Sequence, residues 1–172
     1  MELEDVIKNR HSIRNFSNKK LPKKVISEIL EYAHLAPSAG NLQARDFIIV
    51  DDEKQKINLA KASLDQMFMT EAPVNIVVCA NLNRVSPYGC RGRNLYCIQD
   101  SAAAVEHILL LAVDKGLGAC WIGAFDENAV SKILELPPHI RPVAIIPMGY
   151  SLGKTENTSR INMKLLTHFN KW

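Results

Sequence analysis

From Asn94 to Lys115 runs a segment that can only be a buried helix. Ile98, Ala102, Val105, Leu109 and Ala112 recur at helical spacing, while Ala103, Ala104, Leu110 and Leu111 widen the apolar surface around the same axis. A helix that is apolar around most of its circumference belongs in an interior. Gly116 and Gly118 follow it as C-terminal stop signals. Everything else in the chain has to supply its cover.

The flanking patterns suit that task. Leu3, Val6 and Ile7 mark a short amphipathic helix over residues 2–9. A second helix begins near Pro22, carries Val25, Ile26, Ile29, Leu30 and Ala33 on one face, and is ended by Pro37. Phe47–Val50 reads as a short buried strand, and residues 52–69 show helical spacing. The run VNIVVCA (74–80) is β-branched and continuous, the pattern of a strand covered on both faces. Residues 81–93 hold two asparagines, a proline and two glycines and are expected to form a long loop. ACWIGAF (119–125) is apolar and extended, Asp126 caps a helix over 127–135, and VAIIPMG (143–149) is a further strand whose Pro147 marks its end or an edge position. The last 22 residues are polar and weakly periodic. Interleaved helices and strands without a linker predict one domain, residues 1–172, built on a helix-flanked sheet.

Composition narrows the function. A net charge of +3 over 172 residues, with the basic residues dispersed, lacks the dense cationic face of a nucleic-acid binder. No apolar run approaches a membrane span or resembles a signal peptide, so the protein is expected in the cytoplasm, away from membranes. Cys79, Cys90, Cys97 and Cys120 fit no zinc or iron–sulfur spacing, and the five histidines form no paired metal motif. No metal is expected.

Four stretches could carry chemistry. RHSIRNF (10–16) concentrates Arg10, His11, Ser12 and Arg14, a donor set suited to a dianion such as phosphate. In LAPSAGNLQ (35–43) small residues let backbone approach a ligand, and Asn41 and Gln43 offer amide edges. GLGACWIGAF (116–125) runs from the long helix into an apolar strand, and the tail places Lys154 and Arg160 after GYSLG. Each alone also fits an ordinary turn, loop or solvated surface.

Their order is more specific than any one of them. RHSIR-x-F, APS-x-x-N-x-Q, APV before an apolar strand, QDSAAA opening a long helix, GLGACWIGAF and IPMGY together resemble the nitroreductase family of FMN-dependent oxidoreductases, over about residues 3–160. The likeness is to the short members, which lack large insertions.

The resemblance implies an α+β fold with a central mixed or antiparallel sheet flanked by helices, in a homodimer with exchanged termini. It implies two FMN molecules at the subunit interface, with the long helix at the dimer centre and the tail wrapping the other subunit. By position, Arg10, His11, Ser12 and Arg14 would bind the FMN phosphate, completed by Arg160 and secondarily by Lys154. Pro37, Ser38, Ala39 and Asn41 would approach the flavin from the partner chain. Ile122 and Gly123 would lie along the ring, a backbone N–H reaching flavin N5, and Gln66 would contact the pyrimidine edge. Arg91 or Arg93 would face flavin N1/O2. Where the family pattern reads N-x-Q-P-W-x-F, this chain has NLQARDF, with Ala44 and Arg45 in place of proline and tryptophan. The implied activity is NAD(P)H-driven reduction of a nitroaromatic, quinone or similar small acceptor, by a ping-pong cycle without a catalytic acid, base or nucleophile. A dehalogenase, a flavin-fragmenting enzyme or a non-catalytic flavin-binding module would share the same fold. Cys120 as a nucleophile lacks an activating neighbour in the sequence.

Overall fold

A computed structural model describes residues 1–153 and 158–172; Lys154 lies outside the described residues. Four strands form one antiparallel sheet: β1 (Arg45–Val50), β2 (Val74–Asn81), β3 (Gly118–Ala119) and β4 (Ile140–Gly149), in the order β1-β2-β4-β3. Around it lie α1 (Leu3–Asn9), α2 (Lys23–His34), α3 (Glu53–Ala62), α4 (Cys97–Asp114) and α5 (Glu127–Ile133).

Strand β2 is buried at every position. Its alternate side chains reach two separate cores. Val74, Ile76 and Val78 join Ala144, Ile146 and Met148 of β4 beneath Ile26, Ile29 and Ala33 of α2 and Val105, Ile108, Leu109 and Ala112 of α4. Val77, Cys79 and Ile145 face the other way, against Leu59 and Ala60 of α3, Val130 of α5, Cys120 and Ile122. The α4 periodicity and the double cover of residues 74–80 are thus both as expected. Asp126 caps α5, its Oδ1 accepting from Asn128 N (2.8 Å) and Ala129 N (3.0 Å).

Several boundaries differ from expectation. The helical spacing over 52–69 resolves into α3 and a separate 3-10 turn at Met67–Thr70, parted by left-handed Leu64 (φ 58°) and Asp65 (φ 56°). The expected loop over 81–93 is largely helical: Ser86–Tyr88, Gly89–Arg91 and a π-turn at Gly92–Tyr96 lead directly into α4. The continuous stretch Ser86–Asp114 is consequently long and apolar enough to cross a membrane by length and composition, which no apolar run in the sequence suggested. Its buried side packs on the sheet instead. Strand β1 is an edge strand with only its ends, Arg45 and Val50, fully buried. In α1 only Val6 is buried; Leu3 and Ile7 are exposed.

Strand β4 holds two prolines in the sheet interior. Pro142 lies opposite Cys79, where the register slips by one residue. Pro147 lies opposite Asn75, and its carbonyl accepts from Cys120 N (3.2 Å). A strand residue projects N–H and C=O to the same side, so the donor that Pro147 lacks faces the two-residue β3 and costs no bond to β2 at that position.

The RHSIRNF stretch is laid along the β3 end of the sheet. Ile13 N donates to Ala119 O (2.9 Å), Ser17 N to Tyr150 O (2.8 Å), and Leu152 N to Asn15 O (3.0 Å). The approach is close enough that a Cβ on Gly118 would lie 2.7 Å from Ile13 Cγ1. Gly118→Ala is therefore expected to destabilise the protein by about 1–3 kcal/mol through overpacking, read as a lower urea midpoint. An unchanged midpoint would show that Ile13 yields freely.

Candidate functional site

Anchoring Ile13 and Asn15 leaves the side chains on either side of them free to converge. Arg10, His11, Ser12 and Arg14 line a cavity of about 390 Å³ together with Ser151, Thr158 and Arg160. No carboxylate lines it among the described residues. Arg160 reaches it from the tail, its guanidinium held by Thr158 Oγ1 (2.6 Å) and the carbonyls of Thr158 and Ser159. Three guanidiniums, an imidazole and hydroxyls around one space are a donor set suited to an anion, since guanidinium hydrogen bonds to phosphate are charge-assisted and multidentate. Ser151 and Thr158 were missed in the sequence; only their place after the GY that ends β4 hinted at them.

Cys120 sits beneath this cluster. Burial pushes its thiol pKa up, opposed by the charge of Arg14, the hydroxyl of Ser12 and the charge of Arg10. It is a buried thiol packed in the sheet core, as its surroundings in the sequence suggested.

A second group forms where α2 ends. Pro37, Ser38 and Ala39 line a cavity of about 400 Å³ with Tyr96, Gln99, Asp100 and Ala103. The turn is tightly bonded: Asn41 N donates to Ser38 O (3.0 Å), Leu42 N to Ala39 O (3.1 Å) and Gln43 N to Ser38 Oγ (3.0 Å). Gly40, Asn41 and Gln43 are all left-handed, with φ of 56°, 54° and 49°. Left-handed backbone costs about 1–2 kcal/mol per non-glycine residue, so the surrounding structure has to hold it. Asn41 is exposed, and its carbonyl and Oδ1 accept from Gln43 Nε2 at 2.8 and 3.1 Å. Tyr88 lies over Gly40, where a Cβ would meet its hydroxyl at 2.5 Å.

Arg45, visible in the sequence only as a departure from the family pattern, grips this turn. It is 2% exposed, and its Nη2 donates to His34 O and Ala36 O, both at 2.7 Å. Its Nη1 reaches Pro37 O (3.4 Å) and the backbone carbonyl of Asp100 (3.5 Å). Burial pushes its pKa down and the nearby Asp100 carboxylate pushes it back up.

A third group joins Ile122, Gly123 and Gln66. Ile122 exchanges both backbone hydrogen bonds with Ile145, at 2.9 and 3.0 Å. Gly123 is exposed with open space above its Cα. Gln66 Nε2 donates to Ser63 O (2.9 Å) and Ala124 O (3.3 Å), fixing the residue 63–66 turn beside this segment. Neither Arg91 nor Arg93 lines the cationic cavity; Arg91 Nε donates to Tyr96 Oη (2.9 Å).

The first two groups do not meet within one chain. The cationic cavity shares Arg10, His11 and Ile13 with a neighbouring cavity that reaches Val113 at the end of α4, whereas the 37–39 turn sits against Asp100. Thirteen residues of helix, from 100 to 113, separate them by about 20 Å.

The signature of the nitroreductase family matches residues 7–69 and 64–150. The chain belongs to the nitroreductase family. A nitroreductase family protein from Clostridium novyi NT superposes with a TM-score of 0.81 at 34% identity, covering 88% of this chain and 86% of that one. An FMN-dependent nitroreductase from Clostridium difficile R20291 gives 0.83 at 28% identity, covering 97% and 98%. An NADPH-dependent oxidoreductase from Staphylococcus aureus is 28% identical over 98% of this chain and 73% of its own length. The antiparallel α+β fold described above is thus the nitroreductase fold, and the family and these names support a general oxidoreductase function.

The thiols give a direct check on this packing. Burial raises the pKa of Cys97 and Cys120, and pushes Cys79 up from 9.0 to about 12. Only Cys90 is exposed. At pH 8 a disulfide reagent should therefore titrate one thiol in the native protein and four after unfolding. For Cys79 the unfolded thiol ionises first, so its contribution to stability is present below pH 9.0 and is lost as pH rises towards about 12. Unfolding midpoints of Cys79→Ala and the parent protein should converge over that range.

Proposed function

We propose that this protein is an FMN-dependent NAD(P)H oxidoreductase of the cytoplasm that works as a homodimer and reduces nitroaromatics, quinones or similar small acceptors. The observation that carries the reading is the cavity in which Arg10, His11, Ser12, Arg14 and Arg160 converge, with no carboxylate in its lining among the described residues. That donor set fits a phosphate dianion, so the group the family uses is compatible with the residues present. These side chains would hold the FMN phosphate, the Pro37–Asn41 turn would approach the flavin, and Ile122–Gly123 would lie along its ring with Gln66 at the pyrimidine edge. Gly123 is the better source of the N–H for flavin N5, because Ile122 already spends its own N–H on Ile145. Bound FMN would supply the redox chemistry, taking a hydride from the nicotinamide and passing electrons to the acceptor.

The protein's part is binding, orientation and electrostatics. Hydrogen bonds from charged groups to a phosphate contribute about 1.5–3 kcal/mol each. With the cationic cavity and the Pro37–Asn41 turn at opposite ends of α4, a second copy presenting its own turn would complete the site. One exposed ring face would then serve donor and acceptor in succession, which makes the cycle ping-pong.

Protein reconstituted with FMN should lose its yellow absorbance on addition of NADH or NADPH and regain it with a quinone or nitroaromatic. Initial-rate plots should be parallel, and sedimentation should show a dimer with one FMN per chain. Protein that stays colourless and leaves NAD(P)H unoxidised with FMN supplied would overturn the proposal. Arg10→Ala should raise the FMN Kd by roughly 10- to 100-fold, as expected for one charged hydrogen bond, with little change in apoprotein melting. An unchanged Kd would remove Arg10 from the phosphate site.

A further inference from the structure

Among the described residues Arg45 is the one arginine that is buried, and it forms no direct bond to a carboxylate. Its acceptors are four backbone carbonyls. Three belong to the end of α2 and the entry to the turn, at His34, Ala36 and Pro37; the fourth is that of Asp100 on α4. Asp100 is itself 4% exposed, and its Oδ1 accepts from Ala39 N at 2.9 Å. The turn is thus gripped on both sides of Ser38, by a guanidinium before it and a carboxylate after it. Immediately beyond come the left-handed residues Gly40, Asn41 and Gln43.

Neither charge has an evident reason to be buried apart from this grip. Arg45 Nε and Asp100 Oδ2 are buried without a partner among the described residues, so the pair is not an optimised salt bridge. Buried ions of this kind are poor stabilisers compared with apolar side chains of similar size. What they provide is geometry, since a guanidinium offers five donors in a rigid plane. Here that plane bonds carbonyls of the α2 end and of α4 together.

We propose that Arg45 and Asp100 are positioning residues that fix the Pro37–Asn41 turn in its ligand-ready shape and lock it to α4 before any ligand arrives. The consequence for flavin rests on the reading above: the turn would meet the ring preformed, so FMN binding would require no ordering of this segment.

The test measures hydrogen exchange of residues 37–43 in the ligand-free protein, together with FMN affinity well below the melting transition, in Arg45→Lys, Arg45→Met and Asp100→Asn. Lysine keeps the charge but cannot span four carbonyls, and asparagine keeps the shape and the Ala39 contact while removing the charge. In Arg45→Lys, exchange over 37–43 should quicken at least tenfold and FMN Kd rise roughly tenfold or more, with far-UV circular dichroism unchanged; Arg45→Met should be worse. Asp100→Asn should fold and show a smaller change in the same direction. A lowered melting temperature with exchange and FMN affinity both unchanged would mean that the pair only stabilises the fold, and would overturn the proposal. If both arginine variants fail to fold, unchanged exchange over 37–43 in Asp100→Asn overturns it and faster exchange supports it. If the parent protein binds no FMN, the flavin reading fails while the exchange measurement still decides the role of the pair.

Discussion

The structure depends on one strand being covered on both faces. Antiparallel sheets commonly leave one face to water, and alternation of apolar and polar residues follows. Strand β2 has no such alternation: all eight positions from Val74 to Asn81 are buried. One face requires α2 and α4, the other α3, α5 and the Cys120–Ile122 segment. That requirement explains the composition of α4. Its Val105, Ile108, Leu109 and Ala112 meet the sheet, while Leu110 and Leu111 turn towards an open groove beside Leu3, Tyr32 and Leu35. Both stretches of the chain proposed to hold ligand are then loops pinned against this rigid frame, one at each end of the same helix.

Pattern was most legible where it was long. The periodicity of α4 runs through five turns, and VNIVVCA offers no second interpretation once it is bounded by Pro73 and a polar stretch. Asp126 was readable because a cap is local, needing only two amides within three residues. Failures came where tertiary contacts override local signals. Pro87, Gly89 and Gly92 read as loop, yet Gly92 is required by packing rather than by a turn, since a Cβ there would lie 2.6 Å from the carbonyl of Val85. Pro147 reads as a strand end or an edge position; it lies two residues before the end of β4, and its missing donor faces the side where β3 is only two residues long.

The candidate site divides in the same way. RHSIR declared itself because cationic side chains clustered within five residues, and Ser12, Arg14 and Arg10 do share a cavity. Arg160, 146 positions beyond Arg14, could be attached to that cluster only through the family resemblance. Ser151 and Thr158 carry no charge and no motif, so nothing local separates them from an ordinary polar tail. Spacing also says nothing about distance along a helix: only the family resemblance gives residues near 38 to the partner chain's side of the flavin, and α4 holds them about 20 Å from residues near 12 within a chain.

Arg45 shows why a departure from a pattern can be more informative than a match. An indole at that position would present one donor and a large apolar surface, whereas a guanidinium presents five donors and must be fully bonded or desolvated at a loss. Choosing the charge makes sense only if there are carbonyls to collect, and the end of a helix is where unsatisfied carbonyls are concentrated. α2 ends at His34 with its last carbonyls directed at the space where Arg45 enters from β1. The cation also opposes the negative end of the helix dipole. One residue thereby serves three elements, ending α2, anchoring the start of β1 and tying both to α4 through Asp100. The small residues of Pro37–Asn41 can stay small, with no bulk of their own to fix them, because the charges behind them supply the rigidity.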